Sequence, residues 1–458
     1  MPDLKTVAIE YAFQNKQRLL SQLMDFIAIP SISTDRERTG DIQRAAEWIA
    51  TRLKNTGLQN IQILPTGGHP VVFAESINAG ENAPTVLIYG HYDVQPPDPL
   101  NLWHSDPFKP EVRGENLFAR GASDMKGQVM ATISAIEAIL HTSTSPINIK
   151  FLIEGEEEIG SPNLGAFISS HKDLLVSDFA LNPDTGMISA DLPTITYALR
   201  GLAYFELRVF GPDHDLHSGT FGGVVHNPAQ ALCELITGMH DQQGQVTLPG
   251  FYNKVRDLDE TERQELARLS MDEDFYMNQT GAPALWGEEG YSPVERTGAR
   301  PTLEVNGLNS GFTGEGSKTV LPSMAMAKIS TRLVPDQDPE EVHQQFLEYL
   351  RINTPNTIRY EVIKLTGGTA SISDLDSKGV QAMGSALSDV WGKRPLFKRE
   401  GGSVPVVAQF QELLNIESVN CGFSLQDDNA HSPNEKLHLP TWYRGIETYI
   451  RFFFNLVN

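Results

Sequence analysis

A strand that runs straight into three carboxylates constrains this chain more than any other stretch. Ile147 to Ser161 reads INIKFLIEGEEEIGS. Ile149, Phe151 and Ile153 alternate as the residues of a buried strand, and Glu156, Glu157 and Glu158 follow at its C-terminal end. Open α/β sheets place their ligand sites at that end of their strands. Three negative charges beside a core are costly unless they are solvated, paired or bound to a cation. Taken alone, the triplet reads as a solvated acidic turn. Two adjacent acids in different environments can also serve as a metal ligand and a general base, and the rest of the chain decides between these readings.

Other strand and loop ends carry the same kinds of side chain. The apolar run Thr85 to Tyr89 ends in GHYDVQP, where His91 and Asp93 stand two apart and so point to one side of an extended chain. GASDMKG puts Asp124 just ahead of a helical pattern from Gly127 to Ile139, a place that by itself suits an N-cap residue. Ser177 to Leu181 is a strand ending in Asn182-Pro183-Asp184, and His431 lies in DNAHSPNEK before a final amphipathic helix from Thr441 to Leu456. A single histidine in such a place is more often a surface or core residue than a ligand. Together, His91, Asp124, Glu158, Asp184 and His431 are the ligand set of a two-metal site: a bridging carboxylate, with one His and one further acid on each side, leaves every ion an open position. Three carboxylates and one hydroxide nearly cancel two divalent cations, which permits burial.

At 458 residues the chain exceeds what one hydrophobic core usually supports. Residues 4 to 27 carry helical spacing, Asp41 to Lys54 reads as a second helix stopped at Gly57, and strands alternate with helices up to residue 199. That alternation predicts α/β architecture, a mostly parallel mixed sheet with helices on both faces. The texture changes near Arg200-Gly201. Leu202 to Phe210 and Met324 to Leu333 alternate, Pro228 to Met239 and Pro339 to Leu350 are helical, and 242 to 316 reads as irregular. An inserted, smaller α+β domain over 200–366 is expected, with the α/β domain formed by 1–199 and 367–458.

The net charge of −22 argues against a nucleic-acid partner and against an anionic membrane surface. The N-terminus lacks the apolar core of a signal peptide, and no stretch is long enough to span a bilayer. Cys233 and Cys421 are the only cysteines and form no metal-ligand spacing, so a reducing, cytoplasmic location is the simplest reading. Neither GxSxG, a P-loop nor a strand-linked GxGxxG occurs, which disfavours serine-hydrolase and nucleotide chemistry.

GHYDVQP, GASDMKG, EGEEEIGS, DHDLHSG, GGSVP and AHSPNEK, in that order and at these separations, resemble the M20 metallopeptidase family. They are closely similar to its dipeptidase branch, which contains cytosolic nonspecific dipeptidase and carnosinase. The resemblance spans essentially the whole chain. It implies a dinuclear-metal hydrolase that cleaves dipeptides through a metal-bridging hydroxide. His91 and Asp184 would hold one metal, Glu158 and His431 the other, and Asp124 would bridge. Glu157 matches the general acid/base, Asp93 the partner that orients His91, and Glu156 departs from the pattern as a supporting or solvated acid. His217 in DLHSG matches a histidine that reaches the active site of the partner subunit, implying a homodimer built through the inserted lid domain. Arg332, Thr319 and Ser403 match positions that hold the substrate's C-terminal carboxylate, and an Arg fork suits a carboxylate. Zn²⁺ is the first expectation for both ions, with Mn²⁺ or Co²⁺ as alternatives. An N-acyl-amino-acid deacylase would use the same metal machinery, but the YGHYDVQP wording and the long 242–316 segment favour the dipeptidase branch. A non-catalytic metal-binding dimer would need a missing ligand or base, and none is missing.

Overall fold

The computed structural model describes residues 3–142, 145–402 and 404–457, so Ser403 lies outside the described residues. The chain divides into two compact units. One comprises Met1–Tyr197, Ser373–Phe397 and Val406–Asn458, and the other Ala198–Ile372 with Lys398–Pro405.

The first unit is built on a nine-stranded mixed sheet whose principal strands run in the order Gln59–Leu64, Val71–Ser76, Asn148–Glu154, Thr85–His91, Phe179–Asn182, Glu417–Asn420, Thr194–Leu199. Pairing is parallel at the centre, from Asn148–Glu154 through Thr85–His91 and Phe179–Asn182 to Glu417–Asn420. It is antiparallel toward both edges. Every residue of Asn148–Glu154 is buried, as a central strand covered on both faces requires. Helix Gln128–His141 is buried from Gln128 to Ile139. It packs so closely on the sheet that a Cβ at Gly90 would lie 2.7 Å from Val129 Cγ2, which explains a glycine immediately before His91. The C-terminal helix Leu439–Asn455 buries Trp442, Ile446 and Tyr449, and the Trp442 indole donates to the carbonyl of Gly127 at 2.8 Å.

The helix expected over residues 4–27 is two helices, Leu4–Gln14 and Lys16–Ile27. The break falls at Asn15, whose side-chain amide donates to the Tyr11 carbonyl at 2.9 Å, the local competition that disfavours Asn inside helices.

In the second unit an antiparallel sheet runs Thr302–Ser310, Met324–Leu333, Gly201–Phe210, Arg359–Gly368. Strand Gly201–Phe210 alternates strictly. Ala203, Phe205, Leu207 and Val209 are buried with Leu232 and Leu235 of helix Pro228–Thr237 and with Phe346 and Leu350 of helix Pro339–Asn353. The stretch expected to be irregular over 242–316 contains helices Glu260–Ala267, Glu273–Thr280 and Pro293–Gly298 and the edge strand Thr302–Ser310. The three helices hide because each is short. They are defined by their caps, Asp259, Asp272 and Ser292, more than by an apolar stripe. Among the described residues no helix is long and apolar enough to cross a membrane.

Candidate metal centre

Three neighbouring parallel strands deliver their C-terminal ends to one edge of the central sheet. His91 closes Thr85–His91, the single turn Glu157–Ile159 follows Asn148–Glu154, and Asp184 follows Phe179–Asn182. Asp124 comes from the kinked turn Ala122–Gly127 that leads into the buried helix. Its backbone is non-helical, at φ −114° and ψ 100°. His431 arrives on the loop before Lys436–His438.

These five residues meet. His91 Nδ1 lies 3.3 Å from Asp93 Oδ1 and 3.1 Å from the Asp93 carbonyl. Its Nε2 is buried without a hydrogen-bond partner among the described residues, and faces Asp124 Oδ1 at 3.3 Å and Asp184 Oδ2 at 3.9 Å. His431 Nε2 lies 2.8 Å from Asp124 Oδ2 and 3.1 Å from Glu158 Oε2. Asp124 therefore sets one oxygen against each imidazole. The donor atoms of His91, Asp124 and Glu158 lie within 4.8 Å of one another, as do those of His91, Glu157 and Asp184. Glu157 Oε2 is 3.9 Å from His91 Nε2, as near as Asp184, so distance alone does not separate base from ligand.

The electrostatics call for cations. Burial pushes the Glu157 carboxyl well up, with Asp184, Asp124 and Glu158 adding to it against His91. Burial and then Asp124 push Asp184 up to about 7. Burial also opposes ionisation of Asp124, but the His431 and His91 imidazoles beside it outweigh that and hold the carboxyl well below the usual range. Asp124 and Glu158 raise His431 to about 10. Protons are held where positive charge is wanted, and oxygen and imidazole donors around an unpartnered buried Nε2 suit divalent metal ions.

The supporting residues are specific. Asp93 is fully buried and its carboxylate accepts from the backbone N–H of Glu157 at 3.3 Å and of Glu158 at 3.0 Å, so one residue orients His91 through its carbonyl and pins the acidic turn through its side chain. Glu156 is buried, not solvated. It accepts from the Asn163 amide at 2.9 Å and from His69 N–H at 3.1 Å, away from the donor cluster. Two contributors escaped the sequence reading. Gln95 donates to Glu158 Oε2 at 2.8 Å, and the two-residue spacing that joins His91 to Asp93 would have reached it. Glu435 is fully buried and accepts from Arg120 Nη1 and from the backbone N–H groups of Gly121, Ser123 and Asp124, at 2.8, 2.8, 2.9 and 3.0 Å. It stands four residues after His431 in the same motif, which was its available signal.

The other expected site residues belong to the second unit. His217 is exposed, accepts from Gly219 N–H at 3.1 Å and pairs across to Val320. Ser218 N–H donates to the Thr319 carbonyl at 3.1 Å, so His217 and Thr319 lie side by side. Arg332 is half-buried on Met324–Leu333, opposite Leu202 and Thr302.

The sequence pattern of peptidase family M20/M25/M40 matches residues 87–455. Human Beta-Ala-His dipeptidase is 31% identical, with 99% of this chain and 93% of that one aligned. The Cys-Gly metallodipeptidase of Candida albicans is 30% identical over 94% of this chain and 93% of its own. The solved structure of an M20 family metallo-carboxypeptidase from Sulfolobus solfataricus superposes with a TM-score of 0.84 at 33% identity, covering 96% of this chain and 99% of that one. A match over most of the chain, joined to a donor cluster gathered around the buried His91 at the strand ends, places this protein in peptidase family M20/M25/M40 as a metallopeptidase.

Proposed function

We propose that this metallopeptidase hydrolyses dipeptides at a centre of two divalent ions. His91 and Asp184 hold one ion, Glu158 and His431 the other, and Asp124 is shared. The observation that carries the reading is Asp124, whose two oxygens face two different imidazoles. When bound, the cations supply Lewis acidity at the scissile carbonyl and toward water. Glu157 accepts the proton of the attacking water on its carboxylate and returns it to the leaving amine. Its burial, which raises its proton affinity, suits a group that must both take and give. Asp93 keeps His91 in one tautomer by accepting from Nδ1. In a homodimer formed through an inserted lid domain, residues 200–366, His217 of one protomer would donate to the oxyanion developing in its partner. Arg332, Thr319 and Ser403 would hold the substrate's C-terminal carboxylate. Zn²⁺ is the first choice of metal, before Mn²⁺ or Co²⁺. The free cysteines Cys233 and Cys421 support a cytoplasmic setting.

A second reading, release of the C-terminal residue from longer peptides, is favoured by the similarity to the Sulfolobus carboxypeptidase. One experiment tests both. The enzyme is stripped by chelation and reloaded separately with Zn²⁺, Mn²⁺ and Co²⁺, then offered dipeptides, N-blocked tripeptides and N-acyl amino acids. Turnover restricted to dipeptides supports the first reading, and efficient cleavage of blocked tripeptides replaces it with the second. Glu157→Gln should abolish turnover with two metals still bound per chain. A fall to one ion would instead make Glu157 a ligand.

A further inference from the structure

The second unit contains a cavity of about 420 Å³, within the size range of small-molecule sites. Its walls come from loops at His240–Val246 and Trp286–Glu288, helix Pro293–Gly298 and the strand ends at Thr302–Glu304 and Ser330–Arg332. Much of that wall is the 242–316 segment whose structure was least legible in the sequence. Four guanidiniums, Arg200, Arg296, Arg300 and Arg332, line the cavity with only two carboxylates, Glu288 and Glu304.

The protein itself occupies part of this charge. Arg300 is held by both oxygens of Glu288, at 2.7 Å each. Arg200 donates to the carbonyls of Gly401 at 3.1 Å and Arg300 at 3.3 Å, and burial and then Arg332 push it down to about 10. Arg296 differs. Its Nε is buried and has no hydrogen-bond partner among the described residues. The wall is moulded around its stem: Gly287 has φ +143°, and a Cβ there would stand 3.0 Å from Arg296 Cδ. A buried guanidinium nitrogen without an acceptor destabilises the fold that keeps it, and such groups persist where a ligand completes them. Thr297, Thr302, Asn306 and Ser330 add polar side chains to the lining.

We infer that this cavity binds a small anion carrying carboxylate or phosphate groups, with Arg296 as its anchoring cation. The planar fork of Arg296 matches either group, and the excess of guanidinium over carboxylate in the lining excludes a cation. The lining lies within the second unit and shares Arg332 with the carboxylate-holding residues of the proposed function, whereas Arg296 has no part in that reading and so distinguishes the two.

Calorimetric titration of the full-length, metal-loaded protein tests the inference, using inorganic phosphate, succinate and the uncharged control succinamide. Phosphate or succinate should bind and succinamide should not, and Arg296→Gln should weaken binding by about tenfold or more. Whichever anion binds more tightly identifies the ligand class. Equal binding in wild type and Arg296→Gln would assign the anion to another place, such as the metal centre, and overturn the inference. No binding of either anion, or succinamide binding as tightly as succinate, would overturn it too. Arg296→Lys keeps the charge but loses the fork. It should show a smaller loss, and it decides the matter if the amide variant does not fold.

Discussion

The two units concentrate opposite charges, and they do so by different routes. In the first, carboxylates from several chain segments converge on two imidazoles, with Asp93 and Glu435 buried completely behind them. In the second, guanidiniums gather around a cavity whose walls are loops, a short helix and strand ends. Two turns of the acidic cluster are braced: those carrying Glu157–Glu158 and Asp124 are stitched by backbone N–H groups to Asp93 and Glu435, carboxylates that stand behind the cluster. The basic cavity leaves Arg296 Nε with no brace. A metal centre needs fixed donors because its affinity falls when they move. An anion pocket can leave a hydrogen bond to be made by its ligand.

The largest effect should come from the shared carboxylate. Asp124→Ala removes the one residue that faces both imidazoles, and both metals and all turnover should be lost. Retention of two ions after dialysis, measured by elemental analysis, would show that the acidic cluster does not depend on a bridge. Next comes His217, the test of whether the first unit acts without the second. As a donor to the oxyanion its loss should slow turnover by about 10²- to 10³-fold without metal loss. An unchanged rate would make the first unit self-sufficient. Mixing His217→Ala with Glu157→Gln subunits should restore about one quarter of wild-type activity if pairing is random and the sites are independent. No recovery despite demonstrated subunit exchange would abandon the trans arrangement.

The same contrast explains what could be read in advance. The donor residues follow strands whose alternation or apolar runs announce them, and topology then brings neighbouring strand ends together. His91, Glu158 and Asp184 were legible for that reason. Asp124 and His431 sit on turns, and ordered motifs singled them out, not any periodicity. Glu435 escaped because a buried carboxylate that accepts four hydrogen bonds looks, in sequence, like any charged loop residue. The arginine cavity escaped more completely. Arg200, Arg296, Arg300 and Arg332 are held together by folding of a segment with short helices and no apolar stripe, so nothing local marks them as neighbours. The Asn15 break was missed because helical spacing continues on both sides of it.

Glu435 sharpens the idea of bracing. Glu435→Gln places an amide N–H₂ among donors that now meet only carboxylate oxygen, so one side of the Asp124 turn loses its acceptor. Metal affinity should weaken by about 10- to 100-fold, the usual effect of altering groups that support ligands. With excess metal, kcat should recover most of its value. An unchanged affinity in metal-buffered titration would reduce Glu435 to a folding element.

The smallest effect separates a carboxylate that supports the fold from those of the donor cluster. Glu154 is buried on the strand that leads to the acidic triplet, and its Oε1 accepts from the Tyr89 hydroxyl at 2.7 Å and the Ser161 hydroxyl at 2.8 Å. Burial, with Asp93 adding, pushes its carboxyl up to about 8 from an ordinary value of 4.5. The folded state therefore binds a proton that the unfolded state releases. That contribution is complete below the unfolded value and is lost as pH rises toward and through the folded one, by up to about 1.4 kcal/mol per pH unit. Glu154→Gln keeps the accepting oxygen and replaces the protonated one by a permanent donor, so it should remove this slope and leave the metal centre's activity near wild type. The measurement is the urea midpoint of the metal-loaded protein from pH 5.5 to 8. The variant should gain on the wild type steadily as pH rises. If the two fall in parallel, Glu154 is ionised in the folded protein, and the distinction between bracing acids and donor acids loses its best-isolated example.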